Sequence, residues 1–514
     1  MTEANVATST DTRRSLDQVE RAAGFQDAAR DQLEQTLDWL RKGAQQEDLH
    51  EVERGLLRKL LELGATLLRY HLAERGTGRE GGAVLRDGEP LPFHDERSRS
   101  YLSVFGLLDV ERAYFYKAGH AGVFPLDVEL NLPETRYSYL LQELGELIGV
   151  NQAYDRVTDY LERLLGVSFW KQGVEKVARQ AGKNVQGFYE QKGAPPAEEE
   201  GELLVAAADG KGVPMRRQAP PKKLPPEKGP KKDKKKEAVV SAVYTIERNV
   251  RTPEDILREI DKDGYVVEPV EEPPERPKPQ HKRVRATMKG KDAAFDEVRR
   301  QFEERDPEGK KERVALTDGD ESLQVRALAL AGASGITLVL DVLHVLTYLW
   351  AAAYAFHEQG SVESGRWVMG KLRLLLEGKV GYVIGGLRQS ITKRKLRGAK
   401  REAVQKAIDY MDKNQGFMRY DEYLAKGYPI GSGVVEGACR HLVKDRMELA
   451  GMHWGKPGAQ AVLELRAVET NDDWGEFWRF HVDEEQCRLY PNITRRDSSD
   501  FEGFIRPYSR TRAA

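Results

Sequence analysis

The sequence predicts a multidomain α/β plus α protein, and three features of its 514 residues carry that prediction. An apolar run ends at an aspartate and passes into a turn or helix three times, in "LLVAAADGKGV", "RVALTDGDESLQ" and "ITLVLDVLHVL". Strands alternating with helices in this way build a sheet whose central strands are parallel. Long stretches on either side keep a helical apolar period instead. The length itself calls for two to four domains.

Taken in order, residues 1–80 form an N-terminal helical region. Val52, Leu56, Leu60, Leu63 and Leu67 recur at three- and four-residue steps, an amphipathic stripe suited to bundle packing or to dimer contact. Gly and Pro break the pattern from Gly76 to Pro92, and residues 81–135 carry a β-hairpin. There "YLSVFGLLDVERAYFYKAG" places aromatic and β-branched residues on both sides of a turn near Gly106. The hairpin has no cysteine, so no structural metal is expected in it.

Residues 136–200 form a helix-turn-helix-like region expected to bind DNA. In "YDRVTDYLERLLGVSFWKQGVEKVARQAG" one helix ends near Leu165, Gly166 supplies the turn and Ser168 is expected to cap the next helix. Lys171, Lys176 and Arg179 then become candidate phosphate or base contacts. An ordinary helical hairpin satisfies the same pattern.

The α/β core begins at residue 201 and its first part runs to 357. Leu203 to Ala208 is a buried strand ending at Asp209. Residues 216–237 are a basic loop rich in Lys and Pro, containing Arg216 and Arg217, and "AVVSAVYTIER" is a second strand. "GKDAAFDEVRRQFEER" is a helix with Ala294, Phe295, Val298 and Phe302 on one side, and Val314 to Thr317 is a strand closed by Asp318. Residues 358–427 form a helical insertion dense in cations, including Lys393, Arg394 and Lys395. Residues 428–455 hold the last core helix, and 456–514 a C-terminal helical region and tail.

Composition limits the function classes. Hydrophobic content of 40% and charged content of 32% suit a soluble folded protein, and the net charge of -2 conceals basic tracts that suit nucleic acid. No apolar run spans a membrane and no signal peptide opens the chain, so no membrane partner is expected. Cys439 and Cys487 are too few for a disulfide framework or a thiolate zinc site, which favours a reducing cytoplasm.

The candidate chemistry lies in three carboxylates. Asp209 and Asp318 stand where apolar strands stop, and Glu436 stands in the first turn of the helix opened by "YPIGSGVVEG". Strand ends are where ligand groups gather in α/β sheets. Three acids meeting there repel one another unless a cation lies between them. Oxygen ligands with little His or Cys select Mg²⁺ or Mn²⁺, and a pair of such ions suits in-line phosphoryl transfer. Basic residues nearby, Lys211 and Arg216 together with Arg440, His441 and Lys444, would neutralise a DNA backbone. Gly431 and Gly433 would let the chain turn sharply, and Val435, Cys439 and Leu442 would hold the helix against the sheet.

Each acid also has a plain structural use. Asp-Gly is a common turn former, Asp320 fits a helix cap, and Glu436 with Arg440 makes an i, i+4 surface pair. Asp341, on its own strand with His344 three residues later, competes with Asp318 for the second place; the Asp341–His344 pair also fits a supporting role or a phosphate contact.

"DGKGVPM", "LTDGDESLQ", "LDVLHVLTYLW" and above all "YPIGSGVVEGACRHLVKDRMELAGMHW" resemble the DDE transposases of ISKra-type bacterial insertion sequences. The resemblance covers most of the chain. It implies an RNase H-like catalytic core, with the helical insertion between the second acid and the Glu. Asp209, Asp318 and Glu436 become the three catalytic and metal-binding acids, with two Mg²⁺ or Mn²⁺ ions. The implied reaction nicks transposon ends and joins the freed 3′-hydroxyl to target DNA. The implied setting is the bacterial cytoplasm, nucleoid-associated when bound to double-stranded DNA. Because two DNA ends must meet, a homodimer or larger homo-oligomer is expected. A nuclease that cuts without joining, or a DNA-binding regulator descended from a transposase, are the alternatives.

Overall fold

A computed structural model describes residues 16–79, 81–86, 89–216, 235–268, 275–332, 335–449 and 451–491. Of these, 16–180 with 475–491 form one compact unit and 181–474 form another.

In the first unit, α1 (Leu16–Asp38) and α2 (Leu49–Arg75) are joined by short π and 3₁₀ turns. They run antiparallel, with the Gln18 amide donating to the carbonyl of Glu74. The predicted stripe divides on folding: Val52, Leu56 and Leu63 are half-buried, while Leu60 and Leu67 stay exposed. The strands β1 (Ala83–Arg86), β2 (Glu89–Ser103) and β3 (Gly106–Phe115) make an antiparallel sheet turned at Gly106, whose φ is 115°. The hairpin thus forms as predicted. Strand β1 and the start of β2, however, lie inside the stretch where Gly and Pro suggested irregular chain. Pro90 and Pro92 are tolerated because β2 pairs with β3 only from Phe93 onward, which leaves one side of the proline stretch without a ladder.

Next come α3 (Pro125–Glu129), α4 (Tyr139–Gly149), α5 (Tyr154–Leu165) and α6 (Lys171–Lys192), the last of which continues into the second unit. Gly166 ends α5 in the left-handed region at φ 69°, as the sequence predicts. Ser168 does not cap α6. The helix opens from the Trp170 carbonyl, which accepts from Gly173 and Val174, leaving Ser168 too early in the chain to serve.

The second unit is built on β4 (Leu203–Pro214), β5 (Lys235–Ile246), β6 (Gln280–Thr287), β7 (Glu312–Thr317) and β8 (Thr337–Leu340), in the order β6-β5-β4-β7-β8. β4 pairs antiparallel with β5 and β5 with β6, whereas β4, β7 and β8 are mutually parallel. The helices between these strands are α7 (Pro253–Ile260), α8 (Lys291–Arg305) and α9 (Glu321–Leu328). Leu204, Ala206 and Ala208 on one face of β4 pack with Phe295, Val298 and Phe302 of α8, the apolar side the sequence assigned to that helix.

After β8 the chain forms α10 (Val342–Ala353), and over the stretch 358–427, read from the sequence as helical, α11 (Val362–Leu376), α12 (Val380–Lys393), α13 (Gly398–Asn414) and α14 (Tyr420–Ala425). A helical segment follows in three parts: α15 (Gly433–Ala438), a π-helical stretch Cys439–Lys444, and α16 (Asp445–Met447); then α17 (Lys456–Thr470).

Candidate carboxylate site

Register places the aspartates. Ala207 lies opposite Leu316, and Leu316 opposite Val339, across the three parallel strands. Side chains alternate between faces, so two residues further on Asp209, Asp318 and Asp341 project from one face in one row. Strand β4 itself does not stop at Asp209, as the sequence suggested, but runs on to Pro214 against β5. What ends at Ala207 is its pairing with β7, so Asp209 still marks the close of the parallel part of the sheet. The N–H of Asp341 donates to Thr317 (2.8 Å) and carries the pairing one step past the end of β8. Neighbouring strands lie about 4.8 Å apart, so the row brings the acids side by side. This is the face opposite α8, because Ala206, Ala208 and Ala315 point the other way into the core.

The three aspartates are treated differently. Asp341 is fully buried and fully engaged. It caps α10 by accepting from the Leu343 N–H (2.8 Å), and it meets His344 Nδ1 at 3.3 Å and the Ser432 hydroxyl. Burial pushes its pKa up, but bonds from His344, Ser432 and Leu343 outweigh that and hold it below the usual carboxylate range. Asp209 and Asp318 are half-buried and lightly held. Asp209 accepts from the N–H of Gly210 (2.6 Å) and the thiol of Cys439 (3.3 Å), and Asp318 from the N–H of Asp320 (2.9 Å). Among the described residues neither Asp209, Asp318 nor Glu436 has a Lys or Arg partner.

The Gly-Ser-Gly turn joins Glu436 to this row. Ser432 is bonded to Asp341, and Val342 N–H donates to Ile430 (2.9 Å), so the turn is tied to the end of β8. Glu436 N–H then donates to the Ser432 carbonyl (3.0 Å) in the first turn of α15. Val435, Cys439 and Leu442 are buried and seat the segment on the sheet, as the sequence predicts. Cys439, one turn after Glu436, reaches Asp209. Burial, then the charge of Asp209 and the field of Glu436, push its thiol pKa up. His344 is raised first by its bond to Asp341, which outweighs burial, and further by the charges of Asp318 and Asp209. Asp209, Asp318 and Asp341 thus act on one imidazole, and Asp209 and Glu436 on one thiol.

One alternative and one expectation about this segment are not realised. The Glu436–Arg440 pair does not form, because the helix turns π-helical at Cys439 and Arg440 leans instead toward Asp445 at 3.9 Å. Gly431 and Gly433 are not in the left-handed region, and no atom crowds the space a Cβ would take, so the turn does not demand them conformationally.

Asp320 serves as a cap, accepting from Leu323 N–H (3.1 Å) and pairing with Lys291 (2.8 Å). Lys171, Lys176 and Arg179 are exposed but paired, with Asp155 at 3.2 Å, Glu134 at 3.5 Å and Glu175 at 2.5 Å. Lys211 is half-buried two residues beyond Asp209, and Arg216 is exposed with its Nε on the His453 carbonyl (3.2 Å). Arg217 and most of the Lys/Pro loop, 217–234, lie outside the described residues, and from Lys235 the predicted loop is already strand β5. Lys393, Arg394 and Lys395 are exposed where α12 ends, and Arg440, His441 and Lys444 are exposed along the π-helical stretch.

Residues to which the sequence assigns no site role also touch the row. Ser432 orients the turn, and Tyr410 donates to the Asp318 carbonyl (2.8 Å) while stacked on Tyr348. Only the Gly-Ser-Gly spacing hints at the first, and nothing local signals the second.

The donor set fits a hard divalent cation: carboxylate oxygens with spare lone pairs and, among the described residues, no ammonium or guanidinium paired with them. As the side chains stand, however, no three His, Cys, Asp or Glu among the described residues close around one point. Glu436 is exposed, and its side chain is free to change rotamer. No family model matches the chain, and no curated protein matches it.

Proposed function

We propose that this protein is a DDE-type DNA transposase with an RNase H-like core, binding transposon-end repeats and cutting and joining DNA strands. One observation supports the reading most. Asp209 and Asp318, more than a hundred residues apart, stand at one end of the parallel strands, and Glu436 lies one turn before Cys439, whose thiol reaches Asp209, with no Lys or Arg paired to any of the three among the described residues. The strand order, three antiparallel strands continued by two parallel ones, also supports the reading.

Two Mg²⁺ or Mn²⁺ ions held by these carboxylates would activate the attacking oxygen and neutralise the leaving one. The chain's own residues do the rest. Asp341 and Ser432 fix the turn that delivers Glu436, and a swing of the exposed Glu436 side chain completes the acid set. Lys211, Arg216, Arg440, His441 and Lys444 offset backbone charge of the bound DNA.

Glu436→Gln should abolish strand cleavage while leaving binding to transposon-end DNA intact; normal cleavage by that variant would refute the site. Joining of a pre-cut 3′-end separates a transposase from a nuclease. The open arrangement of the acids also suits a non-catalytic DNA binder, which would respond to Mg²⁺ in binding alone.

A further inference from the structure

Three phenols from α13 and α14 donate to backbone carbonyls at the strands that carry Asp318 and Asp341. Tyr410 meets the carbonyl of Asp318 at 2.8 Å, Tyr420 that of Leu340 at 2.9 Å and Tyr423 that of Leu338 at 3.2 Å. The second and third have a plain use. β8 is an edge of the sheet, paired with β7 on one side, so the carbonyls on its outer side have no strand to meet. The Asp341 N–H points to β7, and across a trans peptide the Leu340 carbonyl points the other way, to Tyr420. Tyr420 and Tyr423, both buried, satisfy that edge in place of a further strand.

Tyr410 does something else. The Asp318 carbonyl lies past the last paired residue of β7, in the turn that presents the carboxylate. Over that turn lies the Tyr410 ring, stacked on Tyr348 of α10 at 4.0 Å and 15°. Gly319 in the turn has φ 97°, and a Cβ on it would come within 2.7 Å of the Tyr410 ring and 3.2 Å of the Asn414 amide. Only glycine meets both conditions. One turn further along α13, fully buried Asn414 accepts from the Gln324 amide (2.7 Å) and donates to the Tyr410 carbonyl (2.8 Å). The last turn of α13 therefore holds the chain from Asp318 to Gln324. Among the described residues the Asp318 carboxylate accepts only the N–H of Asp320, from within the same turn. Its place is set by the backbone beneath it, and α13 holds that backbone.

We propose that Tyr410 is the positioning residue for Asp318, its hydroxyl keeping the second acid where it can take a divalent cation. The inference rests on the carboxylate reading above, and it makes α13 a working part of that site.

Tyr410→Phe removes the hydroxyl and keeps the stacked ring. Manganese binding to the full chain, followed by electron paramagnetic resonance, should weaken about 10-fold, the low end of what losing an outer partner costs a metal site. Strand cleavage should need about 10-fold more Mn²⁺ to reach half its maximal rate, with that maximal rate kept. In the metal-free protein the Asp320 amide should exchange with solvent about 5–10-fold faster, as the turn loses one hydrogen bond. Tyr423→Phe is the control. It removes the same kind of bond from an edge carbonyl, so it should lower the melting temperature while leaving manganese affinity within about 2-fold of wild type. Unchanged manganese affinity or unchanged Asp320 exchange in Tyr410→Phe, or an equal loss of affinity in Tyr423→Phe, would overturn the role of Tyr410 and leave the carboxylate reading standing. A wild type that takes up no manganese would overturn both.

Discussion

Two acidic clusters of the second unit invite comparison. Near the β6 edge of the sheet, Glu464 meets Arg285 at 2.7 Å, Glu297 meets Arg300 at 2.7 Å and Arg285 at 3.7 Å, and Arg305 meets Glu200 at 2.5 Å. Burial pushes Glu297 up, yet Arg285 and Arg300 pull it below the usual carboxylate range. At the other cluster, the row of Asp209, Asp318 and Asp341 receives, among the described residues, only N–H, hydroxyl, thiol and imidazole partners. Arginine meets Glu464, Glu297 and Glu200, whereas among the described residues none meets Asp209, Asp318 or Glu436. Carboxylates left half-buried or exposed without such a partner are balanced by solvent or by a bound cation.

The largest expected effect breaks the comparison outright. Asp209→Asn, Asp318→Asn or Glu436→Gln should each reduce Mg²⁺-dependent strand cleavage at least about 10³-fold. Melting temperature should hold or rise, since like-charge repulsion is relieved. Arg285→Leu should do the reverse. Stranding Glu464 beside Glu297 in the interior should cost about 3–5 kcal/mol of stability in urea titrations. An Arg285→Leu variant of wild-type stability would show that pairing does not distinguish the two clusters.

A smaller effect sharpens the contrast. Mn²⁺ or Mg²⁺ should raise the melting temperature of the wild type by about 1–3 °C and leave Asp209→Asn/Asp318→Asn unmoved, read by scanning calorimetry. The pH dependence is finer still. His344 has a folded-state pKa raised by Asp341, so its stabilising contribution is full below the ordinary imidazole value of about 6.5 and fades as pH rises through the raised value. Denaturation midpoints of wild type and His344→Gln should therefore converge on going from mildly acidic to alkaline pH. A gap that stays constant over that range would remove His344 from the electrostatics of the row.

Much of the site is legible in the sequence because an apolar strand running into Asp leaves a plain signal. That signal marks Asp209, Asp318 and Asp341, although at Asp209 it reports where parallel pairing closes rather than where β4 stops. The helix 291–305 is legible with its buried side. β6 is not, since "QHKRVRAT" is an edge strand whose cations lie largely outward and only Val284, Arg285 and Ala286 are buried. The π-helical stretch from Cys439, which packs against β4, leaves no signal in the local sequence. Sequence cannot separate Asp341 from Asp318, because both follow strands. Ser432, 91 residues beyond Asp341, engages it and leaves Asp318 open.

Sharing of divalent ions by Asp209, Asp318 and Glu436 can be seen in a crystal. Crystals grown with Mn²⁺ and transposon-end DNA, and measured for anomalous scattering, test it most directly. Manganese should lie between Asp209 and Asp318, with Glu436 swung in to complete the site. Manganese bound elsewhere, with the Glu436 carboxylate still facing solvent while the same complex cuts DNA, would contradict it.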